Sequence, residues 1–160
     1  MSLKEQLAES TLFTNVESSC LEKISSASEA VELTPGQALF YEGDNSDALY
    51  IVRNGTIKII KSGQEGDQDL AKIGSGSHLG EMTFLHSPEE GAYEKRTASA
   101  EAVEASTLIK VPFSILVEHT KAHPAFGCVF YKAIAQNLSA RIQKTDEDLV
   151  SLKSLRLRHV

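Results

Sequence analysis

Two stretches decide how this chain is read: Gly76-Ser77-His78-Leu79-Gly80-Glu81-Met82-Thr83-Phe84-Leu85, and Lys95-Arg96-Thr97-Ala98-Ser99-Ala100. A glycine-led turn that enters a short apolar helix exposes free backbone amides, the usual makings of an anion site. Glu81 can accept hydrogen bonds from a pair of sugar hydroxyls. Arg96 offers a planar fork of donors that matches phosphate oxygens. A phosphate partner combined with a vicinal or 2′-hydroxyl partner describes a nucleotide.

Around this segment, residues 29–111 read as short strands divided by glycine turns. Thr34-Pro35-Gly36 suits a type II turn, with proline second and glycine third. Glu42-Gly43-Asp44-Asn45 is a loop. Leu49-Tyr50-Ile51-Val52 is an apolar strand, and Ile57-Lys58-Ile59 alternates. Asn54-Gly55 between them is the signal for a tight hairpin, because both residues tolerate positive φ. Leu70 to Ile73 is expected to pair back after the polar tip Ser62–Asp69. Arg96 to Ala102 and Thr107 to Val111 close the set. Many short strands at this spacing point to a sandwich or barrel.

Helices flank the strands. In residues 1–28, Ser2 to Glu5 and Ser19 to Glu22 both match the capping box. Leu21 and Ile24 share a helical face, and Leu12-Phe13 is expected to plug a core edge. Residues 112–155 are helical, with Pro112 placed in a first turn. His123-Pro124 breaks the helix, and a long one runs from Pro124 to Leu155, on the order of 48 Å. Tyr131, Ala135, Leu138, Ile142, Thr145, Leu149 and Leu152 follow steps of four and three, the seam of a coiled coil. A homodimer through residues 131–152 is therefore expected, since Leu149, Leu152 and Leu155 would otherwise lie exposed.

Composition narrows the classes of function. The chain has 160 residues, 41% of them hydrophobic and 24% charged, which fits one globular domain. A net charge of −6 argues against a primary nucleic-acid binder and against anionic membrane. No apolar run approaches a membrane span, and the first residues lack the pattern of a secretory signal. Cys20 and Cys128 are far apart, without metal spacing, and read as reduced, buried thiols in a cytoplasmic protein. His78, His86, His119, His123 and His159 contain no HxH pair and read as surface residues, so no metal and no cofactor are expected. Neither a GxSxG nucleophile nor a Walker loop is present, so no enzyme is expected.

Leu12-Phe13, Gly36, Phe40-Tyr41-Glu42-Gly43-Asp44, Leu49-Tyr50-Ile51-Val52, Gly55, Gly76, Gly80-Glu81-Met82 and Arg96-Thr97-Ala98-Ser99 occur together and in order. Over about residues 12–150 the chain thereby resembles the cyclic-nucleotide-binding domain family, which includes kinase regulatory subunits and catabolite-activator-type regulators. The resemblance implies an α+β, mainly β fold. Its centre would be an antiparallel double-stranded β-helix, a jelly-roll-like β-roll, flanked by short N-terminal helices and a long C-terminal helix. Residues 1–155 would then form a single domain with a phosphate-binding cassette at 76–100, followed by a tail at 156–160. The resemblance also implies that Gly80 and the amides of Met82 and Thr83 approach phosphate or sugar. Glu81 would bind the ribose 2′-hydroxyl, Arg96 would pair the phosphate, and Thr97 would add a phosphate contact. The ligand would be cAMP or cGMP.

The chain departs from the family pattern in one place. Arg96 follows Glu81 by fifteen positions, several more than the family shows. The extra stretch, residues 86–95, holds Glu89, Glu90 and Glu94, whose charges would weaken an anion in a desolvated pocket. It either bulges into solvent or lies across the pocket as a lid or plug. Accordingly a ligand-free dimerisation module stands beside the sensor reading. Thr145, with Asp146, serves either the seam or the base of a ligand, and its distance from Pro124 favours the seam. The basic end Lys153–Val160 fits the helix dipole, and with no helix-turn-helix segment after Leu155 no DNA contact is expected. The readout would pass to an unidentified effector protein.

Overall fold

Strand β3 (Ala48–Asn54) carries its unbroken apolar run because both of its faces are covered. Leu49 and Ile51 point to a core shared with the helices. Ala48, Tyr50 and Val52 point to a second core between two sheets. The computed structural model describes residues 1–86 and 94–158, so most of the 86–95 insert lies outside the described residues.

The other elements are α1 (Leu3–Ala8), α2 (Ser18–Ser26), β1 (Glu29–Leu33), β2 (Ala38–Phe40), β4 (Thr56–Gly63), β5 (Gly66–Gly74), β6 (His78–Leu79), α3 (Glu81–His86), β7 (Ser99–Ala102), β8 (Ser106–Pro112), α4 (Phe113–Ala122) and α5 (Pro124–Arg158). The strands form two four-stranded antiparallel sheets, in the orders β1-β8-β3-β6 and β2-β7-β4-β5. The chain crosses from sheet to sheet after almost every strand, so the two sheets coil into an antiparallel β-roll. Short N-terminal helices and the long C-terminal helix flank it, as the family resemblance implies.

That crossing overturns the hairpin expected at Asn54-Gly55. β3 and β4 lie in different sheets, and β3 pairs with β6 and β8 instead. A tight I′ hairpin would need positive φ at both turn residues, but only Gly55 has it (90°). The glycine is required here for a corner. A Cβ at Gly55 would lie 2.1 Å from Ser106 Oγ and 2.7 Å from the Ala105 carbonyl oxygen. By contrast β5 does pair back onto β4, and the Gln37 amide donates to the Thr34 carbonyl at 3.0 Å, closing the Pro35-Gly36 turn.

The Ser2–Glu5 capping box forms, but the one read at Ser19–Glu22 does not. α2 starts two residues earlier, with Glu17 at the N-cap and Ser18 as its first residue, and the Ser19 hydroxyl donates to Glu17 instead (3.1 Å). Leu12 and Phe13 are wholly buried, and Phe13 stacks on Phe130 at 5.5 Å. Pro112 stands at the N-cap of α4, just before the first turn expected for it. α5 is 35 residues long and continues to Arg158, past the Leu155 end read from its spacing. Of the two thiols, Cys20 is buried but Cys128 is exposed on α5. Two histidines read as surface residues, His78 and His119, are buried, because each sits on an element packed against a core. Among the described residues no helix is long and apolar enough to cross a membrane.

Candidate functional site

β6, α3 and the chain before β7 converge against residues of β2, β4 and β5 in the second sheet. Gly80 makes the turn between β6 and α3 with a φ of 100°. A Cβ there would lie 2.9 Å from the Ala48 carbonyl oxygen and 3.0 Å from Arg96 Nη1. The missing side chain lets the Arg96 guanidinium lie against the turn, one residue from Glu81. The strand expected from Arg96 begins only at Ser99, which leaves residues 96–98 to the site.

Arg96 is 4% exposed. Its backbone is stapled to the Gly43–Asp44 loop, with Gly43 N donating to Arg96 O (2.9 Å) and Arg96 N to Asp44 O (2.7 Å). Its guanidinium donates from Nη2 to the Ala48 carbonyl at 2.8 Å and lies over the Phe40 ring at 4.1 Å. Such a contact between a cation and a ring face is attractive and strengthens as water is excluded. Nε has no hydrogen-bond partner among the described residues. Burial pushes the group below its usual value, with Tyr50, Asp47 and Asp44 opposing, and an arginine stays charged regardless. Arg96 is therefore a buried cation that keeps donor capacity in reserve.

Glu81 is 2% exposed. Oε2 faces His78 Nδ1 at 3.2 Å, and Oε1 accepts a short hydrogen bond from Arg141 Nη1. Arg141 projects from α5, and its Nη2 also donates to the His78 carbonyl at 2.7 Å. Burial would raise the Glu81 pKa, but the hydrogen bond and charge of His78, together with Arg141, outweigh it and hold the carboxyl below its ordinary value. The carboxylate thus stays an acceptor.

Gly80, Glu81, Met82, Thr83, Arg96 and Thr97 all line one cavity of about 320 Å³. Arg141 and His78 close one end, and Phe40, Ile59, Leu70, Ala71 and Ile73 give it an apolar wall. That volume is within the usual range for small-molecule sites, roughly 300–1,000 Å³. Thr83 is buried, its hydroxyl donating to the Gly80 carbonyl (2.9 Å) and lying 2.5 Å from Ser46 Oγ. The Met82 side chain is exposed. Thr97 is exposed, and its carbonyl accepts from Lys61 Nζ at 2.5 Å, which anchors the strand end. Thr145 lies outside this group. Its hydroxyl donates to the Arg141 carbonyl at 2.9 Å, and Arg141, one turn closer, reaches the cavity in its place. The arrangement suits a ligand with an anionic group, hydroxyl donors and a flat apolar ring.

His78 and Arg141 were not anticipated from the sequence. A signal for Arg141 exists: Phe126, Phe130, Ile134 and Asn137 step along the inward face of α5, and Arg141 continues that stripe. His78 carries none, because a two-residue strand buried at both positions offers no alternation to read. A larger cavity of about 450 Å³ lies at the elbow of α2, α4 and α5 around Cys20, His119 and Phe126, but it holds no buried cation facing a carboxylate. Among the described residues no group of three or more His, Cys, Asp or Glu is placed to hold a metal.

The sequence profile of the cyclic nucleotide-binding domain matches residues 30–121. The chain belongs to this family. A lysophospholipase nte1 of Neurospora crassa is 32% identical over 117 residues, covering 72% of the chain but 7% of that protein's length. The chain thus corresponds to a small part of that relative. A cyclic nucleotide-binding domain from Methylobacillus flagellatus KT superposes with a TM-score of 0.77 at 22% identity, over 92% of this chain and 82% of that one. The Thermus thermophilus catabolite activator protein superposes at 0.67 with 28% identity, over 90% of this chain and 63% of its own. In this chain Glu81 and Arg96 line one cavity.

Proposed function

We propose that residues 1–155 act as a cytoplasmic, non-enzymatic sensing domain that binds a cyclic nucleotide, cAMP or cGMP. One observation carries the reading: a buried arginine whose Nε has no partner among the described residues and a buried, ionised glutamate line the same cavity. Arg96 would hold the cyclic phosphate, helped by the Met82 and Thr83 amides and Thr97. Glu81 would accept the ribose hydroxyl, and the base would lie on the wall made by Ile59, Leu70 and Ile73.

The structure offers two routes from this cavity to α5. Phe84 on α3 packs on Phe113, Phe130 and Tyr131, at 5.2, 5.8 and 6.2 Å between ring centres. Arg141 ties the helix directly to Glu81. A ligand that moves α3 or competes for Glu81 would shift the helix, and a coupling of about 1–3 kcal/mol suffices for a switch. Of the seam positions, Tyr131, Ala135, Ile142, Thr145, Leu149 and Leu152 are exposed, whereas Leu138 is half-buried and packs against the core that holds Phe126, Phe130 and Ile134. This supports a homodimer through α5, with the change read by the dimer or by an effector protein. Two free thiols fit a reducing compartment.

A second reading, a ligand-free dimerisation module, draws on the fact that both Glu81 oxygens already have protein partners. Calorimetric titration of cAMP and cGMP into wild type and Arg96→Leu decides between them. The sensor reading expects binding that Arg96→Leu abolishes, with the variant still folded. Absence of binding in wild type supports the module, and equal binding by both proteins removes Arg96 from the phosphate site.

A further inference from the structure

His78 does not belong to the residues assigned to the ligand, yet it touches both Glu81 and Arg141. Its ring is 1% exposed, with Nδ1 3.2 Å from Glu81 Oε2. Two acceptors facing each other at that distance would repel, so Nδ1 carries the proton and donates to the carboxylate. Nε2 has no partner among the described residues, so the ring's one side-chain contact to a charged group is the one through Nδ1. Arg141 Nη2, 3.5 Å from Nδ1, donates instead to the His78 carbonyl at 2.7 Å. The ring of one residue thus orients Glu81 while its backbone orients Arg141.

We propose that His78 is the positioning residue that makes this site selective for ribonucleotides over 2′-deoxyribonucleotides. The inference rests on the cyclic-nucleotide reading above and deepens it. Glu81 has two oxygens, one held by Arg141 and one by His78. With both held, the carboxylate is fixed in rotation, and its remaining lone pairs keep one direction toward a ligand hydroxyl. Loss of the Nδ1–H frees the carboxylate to rotate onto Arg141 as a two-pronged pair, which Arg and carboxylate geometry favours. A hydroxyl donor from the ligand then meets no fixed acceptor. The phosphate, held by Arg96 on the other side of Gly80, is affected less.

The test compares cAMP with 2′-deoxy-cAMP by calorimetry on wild type, His78→Phe and His78→Asn, the last of which restores an N–H near the Nδ1 position. A hydrogen bond to a charged acceptor predicts that wild type prefers the ribonucleotide by roughly tenfold to a hundredfold. His78→Phe should reduce that preference to less than about threefold, and His78→Asn should recover much of it. A residue with only a packing role would weaken both nucleotides equally and leave their ratio intact, which would overturn the proposal. A wild type that binds both nucleotides alike removes Glu81 as the hydroxyl acceptor and the proposal with it. A wild type that binds neither overturns the nucleotide reading itself. Nitrogen NMR of the wild-type imidazole needs no variant: a proton on Nδ1 supports the assignment, and a neutral ring protonated at Nε2 refutes it.

Discussion

Replacing Gly80 by alanine should damage stability and ligand binding together, while the same change at Gly76 should damage stability only slightly. Both glycines have positive φ, 100° and 86°. An alanine in such a conformation is strained by about 1–2 kcal/mol, and its stiffer unfolded chain returns roughly 0.4–1 kcal/mol. At Gly76 nothing lies within 4 Å of the added Cβ, so this is the whole effect. The expected loss is about 1 kcal/mol, or about 2–4 °C in Tm for a chain of this size. At Gly80 the Cβ also meets the Ala48 carbonyl oxygen at 2.9 Å and Arg96 Nη1 at 3.0 Å. The carbonyl belongs to a central strand and cannot yield, so the guanidinium must move, although Ala48 and Phe40 hold it. The total should reach roughly 2–4 kcal/mol, about 5–15 °C in Tm. Nucleotide affinity should fall at least about tenfold, the equivalent of 1.4 kcal/mol, as Arg96 leaves its place. Thermal unfolding and calorimetric titration of both variants read these quantities. Matching Tm losses and unchanged affinity in both would refute the claim that Gly80 exists to admit the guanidinium.

Two further outcomes follow from the same geometry. Glu81 is held below its ordinary pKa of 4.5 in the folded chain, so its stabilisation is present above that pH and disappears as the pH falls through the folded value. Between pH 5 and 3 the Tm of wild type should therefore drop more steeply than that of Glu81→Gln, and parallel curves would contradict the ion-pair account. If the exposed seam of α5 joins two copies, Leu149→Glu should sediment as a monomer at concentrations where wild type is a dimer. A dimer that survives the substitution places the interface elsewhere.

The architecture was largely legible in the order of apolar runs and glycines, because each strand's burial pattern is a local property of the chain. Leu49 to Val52 reads as an apolar strand, and Asn54-Gly55 reads as a hairpin reversal, which the structure replaces with a corner between sheets. Whether that reversal joins neighbours or crosses between sheets depends on what β3 pairs with, and β6 and β8 are supplied from 20 or more residues away. The cysteines show the same division, since Cys20 and Cys128 look alike in composition and differ only in which helix face meets the core.

For the site, residue chemistry named Glu81 and Arg96, because a carboxylate and a guanidinium have few neutral substitutes for hydroxyl and phosphate. It could not name their companions. Arg141 comes to Glu81 from 60 positions along the chain, and His78 is turned inward by β6 pairing with β3. Local order fixes which groups the chain carries and the regular elements they ride on. Packing of α5 across the roll chooses the groups that share a cavity, since distance in space there is set by contacts between segments that no short window of sequence contains.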